Sequence, residues 1–400
     1  MNHDGQTMPV SSPTSPEPGA HRLSLAFTGS GSEYFRIWIV NLLLTVVTLG
    51  LYFPWAKVRR LRYFYGNTLV DGEPLGFHGN AFKMFKGFAI VAAFLILYSV
   101  AGKFSQWAGF AAFLVMAGLW PALLKSSLQF RLANTSWRGL RFGFDGSTQD
   151  AYRACLPLFV PGLLILALFL IAPELHTLGQ TPQPDASGAI AYGLVMLCTA
   201  VMFPWILWNF KSYQHSHYRF STEATRFTVK ARSYFLLSLK TVGVTLLIYV
   251  ALILAFVAIF GAAAAANGSA GMPKGPAGYV IFGLAGLAFA ALAFPAIKLY
   301  PVVRFQNLVW NGTASENIRF NSTLRIRDMT VLTLKNWLFM LLTLGLYWPF
   351  AAVAMTRMRL VAVQLESSIS PDALLADRQA AEGAAIGDAA GDFFGFDIGL

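Results

Sequence analysis

The chain has 400 residues, of which 56% are hydrophobic and only 12% are charged, whereas soluble globular chains carry about 25% charged residues. Its mean hydropathy is +0.55, and 30 Lys and Arg residues against 19 Asp and Glu residues give a net charge of +11. This composition excludes a soluble enzyme, a secreted disulfide scaffold and a disordered regulator, and it predicts an integral membrane protein.

Three regions follow one another along the chain. Residues 1–22 are rich in Pro, Ser and Gly and contain no apolar signal core, so they are predicted to be a disordered lead. Residues 23–366 form the predicted multi-pass membrane domain, and residues 367–400 form a flexible acidic tail. Two alternatives remain for the tail: it docks onto a partner protein or back onto the membrane domain through Phe393, Phe394 and Phe396, or it is disordered.

Eight apolar segments lie within the membrane domain, and a membrane helix needs about 20 mostly apolar residues. The segments are 36–55, 87–101, 107–124, 154–172, 189–208, 238–261, 279–300 and 337–355. They lack the alternation of a membrane barrel, so helices are predicted. The predicted fold is an all-α integral membrane protein with six to eight transmembrane helices in repeated hairpin modules and small strand-like cytoplasmic elements.

An imperfect repeat with five copies organises the membrane domain. Each copy opens with a short strand-like sequence that contains a phenylalanine, and these are Phe27, Phe77, Phe142, Phe227 and Phe320. The apolar block of each copy closes at a proline, and these are Pro54, Pro121, Pro204, Pro295 and Pro349. The middle three copies hold two apolar segments each, which indicates duplication of a helical hairpin.

The first and last copies are shorter and share the sequence TLGLY, at Thr48–Tyr52 and Thr343–Tyr347. Two alternatives remain for these copies. Either segments 36–55 and 337–355 cross the membrane and both termini lie outside, or the segments turn back at TLGLY and both termini lie inside. The glycine in TLGLY admits a positive φ and would supply the break.

Most of the Lys and Arg residues fall in four loops, 57–86, 125–153, 211–240 and 298–335, while the opposite connections carry few. Cytoplasmic loops of membrane proteins are enriched in Lys and Arg, so these four loops are predicted to be cytoplasmic. Aromatic residues are interleaved with the charges, as is typical of a membrane interface.

This basic and aromatic pattern has two interpretations: anchoring with a topological signal, or a surface that binds anionic lipid headgroups or docks a protein. The candidate headgroup residues are Lys57, Arg59, Arg60, Arg62, Tyr63, Tyr65, Arg219 and Arg226. Membrane lipids are therefore the expected partners, nucleic acid is not, and the oligomeric state stays open.

No motif for catalysis, a cofactor or a metal is evident. His215 and His217 lack the further ligands that a zinc site needs, and a solvated loop is the interpretation we favour for them. A non-enzymatic scaffold or lipid-interacting protein is therefore predicted. The alternative is a transporter or channel for an uncharged or amphipathic solute, which would need a polar cavity lined by residues such as Asn41 and Asn209.

The stretch Phe27–Gly79, which contains the sequence LGLYFPWAKVRRLRYFYGNT, resembles the opening of the YjgN-like bacterial inner-membrane proteins. The second TLGLYWPFA, at Thr343–Ala351, and the terminal GFDIGL fit the same pattern. The resemblance covers nearly all of the chain after the lead. It implies a location in the bacterial inner membrane, and it implies no activity, so no catalytic residue is carried over.

Overall fold

The computed structural model describes residues 21–171, 186–266 and 276–370, and the predicted lead before residue 21 and the tail after residue 370 lie outside this part. The described chain is mostly helical and contains ten helices, which are α1 (Gly31–Val47), α2 (Phe53–Gly66), α3 (Ala81–Phe104), α4 (Gln106–Ala133), α5 (Thr148–Ile171), α6 (Ala186–His215), α7 (Ala231–Ala266), α8 (Pro276–Asn311), α9 (Ile326–Leu342) and α10 (Trp348–Val361).

Short strands lie between the helical hairpins. They are β1 (His21–Leu23), β2 (Leu25–Phe27), β3 (Thr68–Val70), β4 (Glu73–Phe77), β5 (Thr135–Trp137), β6 (Leu140–Phe144), β7 (Tyr218–Phe220), β8 (Glu223–Ala224), β9 (Arg226–Phe227), β10 (Thr313–Ala314), β11 (Ile318–Ser322) and β12 (Val363–Ser367). The chain therefore consists of five strand–helix–helix–strand units, in which the strands before and after each hairpin pair antiparallel. We call the strand side of every hairpin the sheet end.

The strands form one seven-stranded sheet, β2 to β8 in order, and one five-stranded sheet in the order β1-β12-β11-β10-β9. Only Ser24 separates β1 from β2, and only Thr225 separates β8 from β9. The two sheets are therefore joined through the chain at both edges and together close a ring. The closing pair is β1 with β12, in which Leu23 lies opposite Leu365.

A buried carboxylate ties the two sheets together at the β8 edge. Glu223 accepts hydrogen bonds from the backbone N–H and the side-chain amide of Asn317, at 3.2 and 2.7 Å. Burial acts to raise the pKa of Glu223, but hydrogen bonds from Ser315 and Asn317 outweigh it and hold the pKa below its ordinary value. The carboxylate therefore remains charged and satisfied at the joint.

The helices follow the same circular order, because each helix contacts the helices before and after it and α1 contacts α10. At this closure Arg357 donates to the carbonyl of Gly29 at 2.8 Å, and Gly31 lies against Phe350. The ring of units is therefore closed by both the strands and the helices, and the two ends of the described chain meet.

The first three units pass from strand to helix through a repeated joint. Phe27, Phe77 and Phe144 end their strands, and the ring of each covers a glycine two residues later. A Ser or Asn one residue further caps the helix, as when Asn80 accepts from the N–H of Phe82 at 2.8 Å. Four residues after the cap position, the first helix of each unit buries one side chain, and these are Tyr34, Met84, Ala151, Tyr234 and Met329.

The structural repeat differs in register from part of the predicted one. In the third unit Phe144, not Phe142, covers the glycine, and Ser322 takes this position in the fifth unit, two residues after Phe320. Pro54, Pro121, Pro204 and Pro349 each precede the following strand by fourteen residues, whereas Leu299 has that spacing in α8. Pro295 lies one helical turn earlier. The equivalent position in each unit is set by its distance from the strand-to-helix joint. Because phenylalanine recurs at alternate positions of a strand, sequence spacing alone could not identify which phenylalanine is the equivalent one.

The first and last apolar segments each break at TLGLY. Leu49 and Gly50 have φ values of 51° and 91°, and Leu344 and Gly345 have 49° and 91°. Both segments return to the sheet end and neither is one continuous helix. With 17 residues, α1 and α9 are about 25 Å long, shorter than the roughly 30 Å apolar core of a bilayer.

Four helices in the described part of the chain are long and apolar enough to cross a membrane: Ala81–Phe104, Trp107–Ala133, Ala189–His215 and Ala231–Ala258. The predicted number of six to eight is therefore not confirmed, and the all-α description is corrected to a mostly helical fold with two antiparallel sheets. Few side chains in the apolar windows of these four helices are buried in the isolated chain, as expected for lipid-facing surfaces.

Candidate functional site

One face of the strand ring is apolar and points inward. Alternate residues of a strand face opposite sides, and the inward residues of seven strands pack on one another. This cluster, which we call the apolar plug, comprises Leu23, Trp137 and Phe220 together with Val70, Leu75, Leu140, Phe142 and Leu365. Trp137 also donates from Nε1 to the carbonyl of Val70 at 3.0 Å. The plug fills the axis of the ring at the sheet end.

The opposite face of the strands is basic. It carries exposed arginines from three of the five units and from β1, and these are Arg22, Arg141, Arg219, Arg226 and Arg319. Arg22 lies 3.6 Å from Glu366 and Arg219 lies 3.4 Å from Asp145. Of the predicted headgroup residues, Arg219 and Arg226 therefore belong to this strand face and are separate from the residues of α2.

A cleft of about 590 Å³ lies between α1 and α2. Arg36, Arg59 and Arg62 line it, together with Tyr63 and two aliphatic residues of α1. Tyr63 donates to the carbonyl of Ser30 at 2.7 Å, which fixes its ring at the sheet end of the cleft. The cleft thus places three exposed guanidinium groups beside an apolar wall and a phenol, the combination that suits a lipid headgroup.

An equivalent cleft of about 700 Å³ lies between α7 and α8. It is lined by Lys230, Lys240 and Arg304 and by polar residues that include Asn307. Lys230 follows Phe227 as Ser30 follows Phe27, and Arg304 occupies the register of Arg59, so the two clefts correspond in units four and one. The basic and aromatic pattern of the sequence predicted Arg59, Arg62 and Tyr63 of the first cleft but missed Arg36, and it named no residue of the second cleft.

The other predicted headgroup residues lie elsewhere on α2. Arg60 stacks over Trp348 of α10, with its guanidinium carbon 5.5 Å from the ring centre. Tyr65 stacks on Phe77 at 5.6 Å. Lys57 lies within electrostatic range of Arg131 on α4 and, by helical periodicity, on the face of α2 opposite Arg59. The eight predicted residues therefore do not form one site.

The solvated-loop interpretation is wrong for His215, which ends α6 and is buried, whereas His217 lies half-buried in the turn before β7. Nδ1 of His215 lies 3.1 Å from the hydroxyl of Thr313, and Nδ1 of His217 lies 2.7 Å from the carbonyl of Tyr213. His215 therefore connects α6 to β10, whereas His217 bonds back to the last turn of α6. Within the described ranges, no group of three or more His, Cys, Asp or Glu residues could hold a metal ion.

The two asparagines that were expected to line a polar cavity differ. Asn41 is buried, and its Oδ1 has no hydrogen-bond partner in the described structure. Asn336 occupies the equivalent position of α9 and is likewise buried, with both amide atoms unpartnered. Asn209 instead donates to the carbonyl of Trp205 within its own helix. These residues do not form one lined cavity.

Comparison with known proteins identifies similar chains. A family model described as "Bacterial protein of unknown function (DUF898)" matches residues 22–393. The protein named "Inner membrane protein YjgN" from Salmonella typhimurium is 32% identical over 155 residues, and the one from Escherichia coli K12 is 32% identical over 148 residues. No solved structure matches the chain.

The matches to these relatives are partial. The Salmonella match covers 38% of this chain and 39% of that protein, and the Escherichia coli K12 match covers 36% of each. The matched part therefore spans less than half the length of the curated relatives. Their printed names give a location in the inner membrane and no molecular activity.

Proposed function

Because the chain belongs to the family of bacterial proteins of unknown function named DUF898, with relatives in the inner membrane, we propose that it is a non-enzymatic membrane protein that binds anionic phospholipid headgroups. One observation carries the proposal: the α1–α2 and α7–α8 clefts occupy equivalent positions in two units and both combine several cations with apolar walls. A basic patch needed only for topology would not require repeated concave sites.

Charge and position both support a headgroup as the occupant. Arg36 lies six residues after the cap of α1, which is about 9 Å along the helix from the sheet end. Arginine can bind a phosphate with two parallel hydrogen bonds, and each basic residue near an anionic surface contributes about 1 kcal/mol. Three guanidinium groups at this depth would therefore bind an anionic phospholipid headgroup more tightly than a zwitterionic headgroup.

A transporter or channel remains the alternative proposal. It would need a path along the axis, and the apolar plug occupies the axis at the sheet end in the described part of the chain. A lipid-binding role needs no such path. Transport would therefore require the apolar plug to move out of the axis, whereas lipid binding requires no such movement.

Changing Arg36, Arg59 and Arg62 together to Gln tests the proposal. We expect the wild-type protein to retain phosphatidylglycerol in preference to phosphatidylcholine in native mass spectrometry. The triple variant should lose most of this preference, because its cleft keeps the apolar walls but no cation.

The matched control removes three charges from the strand face by changing Arg22, Arg226 and Arg319 to Gln. The control should keep the preference for phosphatidylglycerol. An equal loss in both triple variants would show that the lipids respond to overall charge and would contradict a specific cleft. Absence of any preference in the wild type would exclude headgroup binding.

We also propose that the sheet end faces the cytoplasm, because the basic loops lie there. Single cysteines at Ser212, Ser187 and Ser370, in a chain without Cys155 and Cys198, test this with a membrane-impermeant maleimide. Ser212 and Ser370 lie towards the sheet end, and Ser187 lies at the opposite end of α6. In intact cells only the cysteine at position 187 should react. Reaction at 370 would contradict the return of α9 and α10 to the cytoplasmic side.

A further inference from the structure

The second helix of each unit faces the axis of the ring. Gln306 of α8 donates to the carbonyl of Arg359 on α10 at 3.0 Å, and Arg359 Nε donates to Gln306 Oε1 at 2.6 Å. In the circular order of contacts α9 lies between these two helices. Arg60 of α2 likewise reaches Trp348 of α10 past α1. The second helices therefore approach one another inside the ring.

Four of these second helices carry a cation on the same stripe. Their positions are counted from the proline that precedes the next strand by fourteen residues in each helix. Lys57 lies three residues after its proline, Lys211 lies seven residues after its own, and Arg131 and Arg359 each lie ten residues after theirs. Positions separated by three or four residues share one face of a helix. The four residues, which we call the axis cluster, come from α2, α6, α4 and α10.

Three electrostatic contacts connect the four charges in the order Lys57, Arg131, Lys211 and Arg359. Arg131 lies within electrostatic range of both Lys57 and Lys211, and Arg359 lies within range of Lys211. Lys211 Nζ donates to the neutral amide of Gln214 at 2.9 Å, and Arg359 pairs with the neutral amide of Gln306. In the described ranges none of the four forms an ion pair with a carboxylate. Among the described residues, therefore, no carboxylate offsets the repulsion between these cations.

Space and further donors accompany the cluster. Lys57 and Arg359 are exposed to solvent although they belong to the inner helices, so the inner helices leave room between them. Tyr218 lies within electrostatic range of Arg131, and burial raises the pKa of Tyr218 to about 12. Its phenol therefore stays protonated and can donate. Below this layer, the apolar plug closes the axis.

We propose that the axis cluster is a binding site for a phosphate group, held between Lys57, Arg131, Lys211 and Arg359 on the helix side of the apolar plug. A tetrahedral phosphate accepts many hydrogen bonds and carries the negative charge that the cluster lacks. The phosphate group belongs either to a free anion or to a lipid headgroup. This site is separate from the two clefts, and its failure would leave the cleft proposal untouched.

Thermal unfolding of the full-length protein tests the proposal. In phosphatidylcholine nanodiscs, inorganic phosphate should raise the midpoint more than chloride at the same ionic strength, since a ligand of the folded state stabilises it. In a second arm, phosphatidylglycerol replaces phosphatidylcholine and no phosphate is added. A rise with free phosphate identifies a soluble anion, and a rise only with phosphatidylglycerol identifies a headgroup.

Changing Arg131 and Lys211 to Gln should weaken the apparent affinity for the effective phosphate compound at least about tenfold, since a hydrogen bond to a charged group contributes about 1.5–3 kcal/mol. Without phosphate, the same variant should unfold at a temperature equal to or above that of the wild type, because two repelling charges are gone. A purely structural role for these cations predicts the opposite.

The control pair, Arg226→Gln with Arg319→Gln, removes two charges from the strand face, outside both clefts and the axis cluster, and should keep the response to the effective phosphate compound. If the Arg131 and Lys211 variant fails to fold, Lys57→Gln at an exposed position provides the test and should weaken binding likewise. No response of the wild type in either arm, or an equal loss in the control pair, would overturn the proposal.

Discussion

Replacing Trp137 with alanine should lower the free energy of unfolding by about 3–5 kcal/mol, the usual cost of truncating a buried tryptophan. Trp137 is 3% exposed and packs in the apolar plug against residues from several strands. Its Nε1 donor also satisfies the carbonyl of Val70, which alanine would leave without that partner. Loss of this side chain should weaken the closed strand ring as a whole.

The measurement is the fraction of protein that remains monodisperse by size-exclusion chromatography after heating in detergent. The matched control is Trp107→Ala, because Trp107 is 66% exposed near the start of α4 and its loss should shift the midpoint little. Trp137→Phe should fall between the two, since it keeps an aromatic ring but loses the hydrogen bond to Val70. Equal midpoints for Trp137→Ala and Trp107→Ala would show that the plug does not stabilise the fold.

A disulfide between positions 22 and 366 should join the two ends of the ring and stabilise it by about 5–6 kcal/mol in the chain-entropy model. Arg22 and Glu366 are direct Cα partners in the β1–β12 pair. Antiparallel partners have Cα separations of about 4.5–5.5 Å, which lies within the range that a disulfide tolerates. Arg22→Cys with Glu366→Cys should therefore cross-link under mild oxidation.

The experiment uses purified protein without Cys155 and Cys198, and the cross-link is detected by altered mobility on a non-reducing gel. The control combines Arg22→Cys with Gln364→Cys, whose Cα atoms are diagonal neighbours about 7–8 Å apart and too distant for an unstrained bond. Cross-linking that is equally fast for both pairs, or absent for 22 with 366, would contradict the described closure.

Local patterns in the sequence predicted much of the architecture. Long apolar segments and few charges indicated a membrane protein, because the lipid environment imposes both features. The recurrent phenylalanine and proline positions indicated five units, and the TLGLY pair indicated equivalent outer units. Gly50 and Gly345 adopt the positive φ that made a turn one of the two alternatives. These features depend on residues close together in the chain, so a single sequence reveals them.

The sequence by itself therefore determined the class of protein, the number of repeated units and the side of each unit that carries the positive charge. Only the tertiary structure decided that β1 pairs with β12, that Phe144 holds the register assigned to Phe142, and that Arg59 lines a cleft with α1 while Lys57 approaches Arg131 of α4. It also brought Arg131 within electrostatic range of Lys57 and Lys211, and Arg359 within range of Lys211. The reason is physical: these arrangements depend on contacts between units that are far apart in sequence, and the ring closes only when all five are packed together.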